Sequence, residues 1–139
     1  MNPKTSSLPA LSRFFAVMVG LALLVGCGSS STTPPAATPS ISLSATSLTF
    51  SGQFVGSTST AQSVTVSNTG TATLNFSGIA ASGDFAQTNT CGTGIAASSV
   101  CTISVTFTPQ AAESYQAALF VYDSASNSPQ TSSLLGTGK

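Results

Sequence analysis

The feature that most constrains the fold is an alternation of apolar and polar residues that begins near Ile41 and recurs to the end of the chain. In its clearest stretch, residues 101–109, Ile103, Val105 and Phe107 lie on one side of the pattern. A period of two predicts β-strands with one buried face. No helical period is sustained for three turns, and Gly, Asn, Ser and Pro interrupt the segments at short intervals. The sequence therefore predicts an all-β domain, a single immunoglobulin-like antiparallel β-sandwich of about seven strands.

The sequence also predicts where the turns, the loop and the strands of this domain lie. Gly70 ends the turn Asn68-Thr69-Gly70 and is expected at a positive φ angle. Phe85 is expected to plug the core where the chain crosses between sheets, and residues 89–99 are expected to form a loop. The predicted strand regions are residues 41–43 with 48–50, 63–67, 74–76 continuing towards 79, 101–109, 115–122 and 132–135.

The first 26 residues have the layout of a secretory signal peptide. Lys4 and Arg13 precede an apolar run over residues 14–25, which is shorter than the roughly 20 residues needed to span a bilayer. The run ends in Leu24-Val25-Gly26-Cys27, which resembles a bacterial lipobox. Residues 1–26 are therefore interpreted as a lipoprotein signal peptide and Cys27 as the lipidated first residue of the mature chain. The alternative is an ordinary signal peptide that ends near a cysteine.

The lipidated cysteine is followed by a short tether. Residues 28–40 are rich in Ser, Thr and Pro and offer no apolar surface to bury, so residues 27–40 are predicted to be a semi-extended spacer before a domain at 41–139. The expected location is the bacterial cell envelope, with the membrane as partner through acyl chains on Cys27. Gly28 is not the aspartate that resembles an inner-membrane retention signal, so the outer membrane is favoured if two membranes are present. Whether the domain faces the periplasm or the cell surface stays open.

Two cysteines remain in the mature domain, Cys91 and Cys101. An exported chain passes through an oxidising compartment, where such a pair closes and persists. A metal site is the competing interpretation, but two cysteines without a histidine or a nearby acid are a poor ligand set. The pair is therefore predicted to be a disulfide.

The inventory of reactive side chains argues against catalysis. The chain has no histidine, which excludes Ser-His-Asp and Cys-His arrangements. A Ser-Lys arrangement would depend on the terminal Lys139. The carboxylates Asp84, Glu113 and Asp123 fall in separate loops or strand ends, so no catalytic residue, metal or cofactor is predicted. Calcium binding by Asp84 or Asp123 is a weaker alternative to a capped turn at Asp84 and a solvated strand-end charge at Asp123.

Charge and alternation together limit the partners. The mature part has three acidic residues against one lysine, and such a weakly acidic surface offers no field for phosphates, so nucleic acid is excluded as a partner. If Tyr115, Leu119 and Val121 fill the core, then Phe120 and Tyr122 point to the opposite face of the same strand. These two aromatic residues are the candidate ligand contacts. The alternatives are that a loop or the tether covers them, or that the register is shifted by one.

Several segments together resemble one family. The combination includes Asn68-Thr69-Gly70, Gly83-Asp84-Phe85, the run C-x-I-x-V-x-F-x-P over residues 101–109, and Gly136-Thr137-Gly138. It is similar to a single choice-of-anchor D repeat, an immunoglobulin-like domain related to the abnormal-spindle and hydin (ASH) family. The resemblance implies a β-sandwich that acts as a spacer or interaction module and implies no catalytic activity. In the last strand, Ser132 stands where an apolar residue is expected and Leu135 where a polar one is, which loosens the predicted register there.

These observations predict a membrane-anchored module with a non-catalytic role in protein interaction, adhesion or envelope scaffolding. The partner would be an unknown envelope or extracellular protein, contacted by strand addition at a sheet edge in one form of this hypothesis. The alternative is a carbohydrate- or polymer-binding module that uses the face of Phe120 and Tyr122.

Overall fold

The computed structural model describes residues 33–139, and in that range the secondary structure is entirely β. The predicted leader, Cys27 and the first residues of the tether lie outside the described residues. No helix in the described range is long and apolar enough to cross a membrane. The nine strands are β1 (Ile41–Leu43), β2 (Ser47–Thr49), β3 (Gln62–Asn68), β4 (Leu74–Ala81), β5 (Phe85–Asn89), β6 (Gly94–Ile95), β7 (Val100–Phe107), β8 (Ser114–Asp123) and β9 (Gln130–Thr137).

The strands form two sheets, which confirms the predicted sandwich. The four-stranded sheet has the order β1-β3-β7-β5, and the five-stranded sheet has the order β2-β9-β8-β4-β6. The prediction of a purely antiparallel arrangement is wrong at one position, because β2 runs parallel to β9 and pairs Leu48 with Leu134. All other strand pairs are antiparallel.

Three local differences from the six predicted strand regions give the count of nine. The strand β5 (Phe85–Asn89) forms where only a core position at Phe85 was predicted. The first strand region is split: β1 pairs with β3 in one sheet, whereas β2 pairs with β9 in the other. The interruption noticed in the sequence is thus a crossing between sheets, after which Leu48 and Phe50 enter the core. The loop predicted at residues 89–99 contains the short β6, which pairs with the start of β4.

The core lies between the sheets and is dominated by the inward positions of β3, β7, β8 and β9. Phe85 is buried at the first residue of β5, immediately after the chain has crossed from β4 to the other sheet, as predicted. Its ring stacks on Phe107 with centroids 4.6 Å apart, and Phe50 and Tyr115 contact Phe107 from other directions. This aromatic cluster gives close packing without a tryptophan.

The turn Asn68-Thr69-Gly70 is built differently from the prediction. Gly70 is not among the glycines with positive φ, so that expectation is wrong. Its requirement is space, because a Cβ at this position would lie 2.3 Å from the Thr38 carbonyl oxygen and 2.5 Å from the Ser40 nitrogen. The chain that enters the domain therefore lies directly across the glycine. The Thr38 carbonyl also accepts a hydrogen bond from the Thr71 amide, which holds this entering segment at the turn.

The last strand keeps its register despite Ser132 and Leu135. Ser132 and Leu134 both point into the core and are fully buried, whereas Leu135 is partly exposed on the opposite face. Ser132 pairs with Leu119 across the sheet, so a polar side chain occupies an apolar position. Its hydroxyl has no hydrogen-bond partner among the described residues.

Candidate functional site

The strand β8 carries the candidate site on its solvent side. Leu119 and Val121 are fully buried, and the intervening residues Phe120 and Tyr122 point to the outer face of the five-stranded sheet. Tyr122 is 42% exposed, while Phe120 is half-buried. The predicted register is therefore confirmed, and the Tyr122 ring is accessible to solvent.

Small residues flank the aromatic pair on the neighbouring strand. Tyr122 lies opposite Gly78 and Phe120 lies opposite Ala80 on β4. The Tyr122 ring leans over the glycine, since its Cδ2 atom is 3.7 Å from the position that a Gly78 Cβ would occupy. The two ring planes are within 18° of parallel, with centroids 6.2 Å apart. No bulky β4 side chain stands opposite either ring, so the pair forms a low aromatic ridge along β8.

The face around this ridge is uncharged. The outward residues of the adjoining strands are small, polar or apolar, and include Gln116 on β8, Thr131 and Ser133 on β9, and Ser47 and Thr49 on β2. Hydroxyl and amide groups on such a face can form hydrogen bonds with a ligand, while the rings supply apolar contact area. The arrangement suits a neutral ligand surface and offers nothing that neutralises phosphate.

One edge of the same sheet is open. The strand β6 pairs with Leu74 and Asn75, and the Phe76 amide donates to the Thr93 carbonyl just before it. Among residues 33–139, no strand pairs with the outer edge of β4 from Ile79 to Ala81. The Gln87 side chain donates a hydrogen bond of 2.9 Å to the Ile79 carbonyl oxygen and bridges the two sheets there. A cleft of about 170 Å³ adjoins the edge; its lining includes residues 76–79, Asn89, Gly92 and Thr93.

The two domain cysteines form the predicted disulfide, which joins the turn after β5 to the start of β7. Both are buried, with Cys91 and Cys101 at 2% and 4% exposure. The bond encloses the segment that contains β6, which pairs with the start of β4. It therefore has a structural position, with its sulfur atoms away from solvent.

The carboxylates of Asp84 and Asp123 accept hydrogen bonds from backbone amides. The Asp84 carboxylate accepts a hydrogen bond from the Gln110 amide, which agrees with the predicted capping role. Asp123 was expected to be solvated, and this is wrong: one carboxylate oxygen accepts from the Ala125 amide, and the other is buried without a partner among the described residues. In residues 33–139, no group of three or more His, Cys, Asp or Glu side chains could hold a metal ion.

A second apolar feature was missed by the sequence reasoning. Phe54 and Val55, in the loop after β2, are 67% and 48% exposed, and the Lys139 ammonium lies 5.0 Å from the Phe54 ring centroid. The adjacent residues Phe54-Val55-Gly56 were visible as an apolar pair before a turn glycine, but they lie outside any alternating segment. The Lys139 carbonyl accepts a hydrogen bond from the Val55 amide, so this loop and the last residue are held together.

Comparison with solved structures supports the fold. A protein of unknown function from Porphyromonas gingivalis W83 matches with a TM-score of 0.63 and 14% identity over 76% of this chain and 50% of that one. PapD-like domain 7 of human CEP192, an ASH/PapD-like domain, matches with a TM-score of 0.60 and 15% identity over 94% of this chain and 98% of that one. The VesB protease of Vibrio cholerae matches with a TM-score of 0.57 and 19% identity over 70% of this chain and 31% of that one.

This chain thus spans half of the P. gingivalis protein and under a third of the protease. At these identities the likeness concerns the fold alone. A comparison with curated protein sequences finds no match. The family model for the HYDIN/CFA65/VesB-like, Ig-like domain matches residues 39–137, nearly the whole of the described sandwich. The chain therefore belongs to the HYDIN/CFA65/VesB-like family of immunoglobulin-like domains.

Proposed function

We propose that this chain is a bacterial lipoprotein whose immunoglobulin-like domain is a non-catalytic interaction module of the cell envelope. The observation that carries the interaction role is the aromatic ridge of Phe120 and Tyr122 on an uncharged sheet face. Rigid aromatic side chains with a polar tip are common anchors of protein interfaces. The absence of histidine from the sequence supports a role without acid–base chemistry.

The anchor is Cys27, supported by the basic start, the short apolar run and the small residue before the cysteine. One acyl chain holds a protein only marginally, whereas two or three hold it stably. Wild-type protein in growing cells should incorporate radiolabelled palmitate and sediment with membranes. Cys27→Ser should lose both properties, while Ser30→Ala, three residues further on, should keep them. Membrane retention and labelling of Cys27→Ser would contradict the anchor.

The proposed location is the outer membrane, supported by the residue after the anchor, since Gly28 favours that membrane in a cell with two membranes. Protease treatment of intact cells tests the side that the domain faces. Cleavage within the tether in intact cells would place the domain at the surface. Protection that ends on permeabilisation would place it in the periplasm. Fractionation with the inner membrane would contradict the outer-membrane proposal.

The proposed partner is an envelope or extracellular protein that contacts the aromatic ridge. Crosslinking of intact cells should yield an adduct with the wild type that is lost in the double variant Phe120→Ser/Tyr122→Ser. Gln116→Ser, a polar change on the same strand and face, should keep it. Phe120 is half-buried, so the melting temperature of the double variant should be measured alongside. Unfolding of that variant, or an adduct that survives it, would show that the ridge is not the contact surface.

A neutral polysaccharide is the second candidate ligand, favoured by the absence of charge around the ridge. The same three proteins can be compared by native electrophoresis in gels that contain a neutral glucan. Retardation of the wild type and Gln116→Ser, but not of the double variant, would identify the face as a glycan site. Equal mobility of all three with and without glucan would exclude this candidate for the polymer tested.

A further inference from the structure

The open edge of β4 displays unpaired main-chain groups in a defined pattern. The Ser82 amide bonds to the Ala118 carbonyl, and the register pairs Ala80 with Phe120. Because hydrogen-bonding direction alternates along a strand, Ala80 faces β8, whereas the main-chain groups of Ile79 and Ala81 face outward. The Gln87 contact to the Ile79 carbonyl agrees with this direction. Two residues therefore offer two amides and two carbonyls to a further strand.

We propose that a second copy of this chain occupies this edge, with the two β4 strands paired antiparallel about a two-fold axis at Ala80. In this register Ile79 of each copy lies opposite Ala81 of the other. The amide and carbonyl groups of Ile79 and Ala81 in one copy then form hydrogen bonds with the carbonyl and amide groups of Ala81 and Ile79 in the other. The same surface is used on both sides, as a two-fold interface requires.

The composition of the edge permits pairing with an identical strand. Sheet edges are normally protected by charged residues, proline, bulges or short strands. Residues 77–81 of β4 contain neither charge nor proline, so two copies meet without repulsion. The bulge lies between Phe76 and Gly78, beyond the three residues that would pair. The Gln87 contact is compatible with pairing, because a carbonyl oxygen has two lone pairs.

The central residue suits close approach. Ala80 is exposed and carries the smallest side chain that a strand can present other than glycine. In the proposed dimer it would lie opposite its own copy in a pair that is not hydrogen-bonded. Such pairs have Cα atoms about 4.5 Å apart, the closest spacing across antiparallel strands. A larger side chain at position 80 would clash with the same side chain of the second copy at this distance.

Pairing would also extend the ridge described above, and in this respect the inference deepens the proposed function and rests on it. The two-fold axis is normal to the sheet, so both outer faces point the same way. The cross-strand row becomes Phe120, Ala80, then Ala80 and Phe120 of the second copy. Three strand spacings separate the two β8 strands, roughly 14 Å at about 4.8 Å each. The dimer therefore presents a shallow groove floored by alanine and bordered by two aromatic ridges.

The interface is small, since three residues per copy pair directly. Specific interfaces usually bury at least about 1,000 Å². Self-pairing is therefore expected at the high local concentration of an anchored protein rather than in dilute solution.

Cysteine crosslinking tests the register in the full-length chain. Cα atoms about 4.5 Å apart lie within the range that a disulfide bridges, so Ala80→Cys should crosslink to itself. Gln116→Cys is the matched control, because Gln116 is exposed on the same face but belongs to the interior strand β8. Membranes carrying either variant would be oxidised with copper phenanthroline and resolved without reductant.

A dimer-sized band for Ala80→Cys, at least five times stronger than for Gln116→Cys, is the expected result. Equal bands, no band, or an adduct of Ala80→Cys with a different protein would overturn self-pairing. The ridge residues and Cys27 are unchanged in both variants, so failure here leaves the proposed anchor and ridge to their own experiments.

Charge at the centre provides a second test. Ala80→Lys and Ala80→Glu place like charges opposite each other in a homodimer and should each abolish chemical crosslinking between copies. Co-expression of the two should restore it, because opposite charges then meet across the axis. Gln116→Lys should leave crosslinking at the wild-type level. Failure of the mixed pair to recover, with both proteins folded, would refute the two-fold register.

Discussion

Replacing Asn68 should destabilise the domain more than any other polar substitution in its sheets. Its side chain is 1% exposed at the end of β3. The Nδ2 group donates to the carbonyl oxygens of Ala72, Ile95 and Ala96 at 2.8, 3.2 and 3.1 Å, and Oδ1 accepts from the Gly70 amide at 3.0 Å. One buried amide thus joins the turn after β3 to the end of β6 and the residue that follows it.

The magnitude follows from these contacts. Two N–H groups are shared among three carbonyls, so the side chain makes the equivalent of three hydrogen bonds. Each contributes about 1 kcal/mol, and leaving buried partners unsatisfied raises the loss towards 1–3 kcal/mol per group. Asn68→Ala should therefore cost about 3–4 kcal/mol, out of the roughly 5–15 kcal/mol typical of a domain. At about 4–8 °C per kcal/mol, the melting temperature should fall by roughly 12–30 °C.

The assay is urea and thermal unfolding followed by far-ultraviolet circular dichroism, since the chain has no tryptophan. All variants would carry Cys27→Ser to remove the acyl chains. Asn127→Ala is the control, because that side chain is exposed and, among the described residues, forms one hydrogen bond, to the Gln130 side chain. It should change stability by less than about 0.5 kcal/mol. A cost for Asn68→Ala of similar size would refute the argument that this amide holds the end of the sandwich together.

Asn68→Asp adds a pH signature. It keeps an acceptor for the Gly70 amide but directs a carboxylate at three carbonyl oxygens, which disfavours ionisation and raises the pKa of the introduced group in the folded state. The folded state then binds more protons than the unfolded state above the unfolded pKa of about 3.9. Stability should accordingly fall as pH rises from about 4 towards 7 and recover on acidification. Asn68→Ala, which introduces no titrating group, should show no such additional slope.

Three further substitutions test individual features of the core. Replacing Cys91 and Cys101 by alanine removes a crosslink between residues separated by 10 in sequence, so the free energy of unfolding should fall by about 2.5–3 kcal/mol through chain entropy. Calorimetry measures this, and an unchanged melting temperature would contradict it. Ser132→Ala removes a buried hydroxyl that has no hydrogen-bond partner within residues 33–139, so it should stabilise the domain by about 1 kcal/mol in urea unfolding, whereas the exposed Ser133→Ala should be neutral. Gly136→Ala would place a Cβ 2.7 Å from the Phe107 ring, so it should cost about 1–3 kcal/mol, and a neutral result would show that the ring moves freely.

The strands were predictable wherever burial on one face imposes a period of two. In residues 101–107 and 115–122, both the strand and its buried side chains could be predicted, because every second position is apolar without interruption. The parallel pairing of β2 with β9 was not visible, since a three-residue strand carries no information on direction. The short β6 was hidden for a related reason: Gly94 and Ile95 are held by pairing with β4 and not by their own propensity.

The glycines show a different limit of sequence reasoning. Gly70 looked like a conformational requirement and is a steric one, because the segment that crosses it, at Thr38 and Ser40, is distant in sequence. The outward direction of Phe120 and Tyr122 could be predicted from alternation alone. Their flat surroundings could not, because Gly78 and Ala80 become neighbours only once the β4–β8 register is known.

The small residues of β4 connect the two proposed surfaces. A strand that only completed a sheet would gain stability from β-branched or aromatic side chains opposite Phe120 and Tyr122. Here Gly78 and Ala80 occupy those positions, which leaves the aromatic ridge uncovered and the strand edge free of bulky side chains. The same two residues therefore open the face to a ligand and the edge to a neighbouring strand. Substitution of Ala80 by valine should raise the stability of the isolated domain while reducing self-crosslinking. If both stability and self-crosslinking increased, the small size of Ala80 would not be what leaves the strand edge open to a second copy.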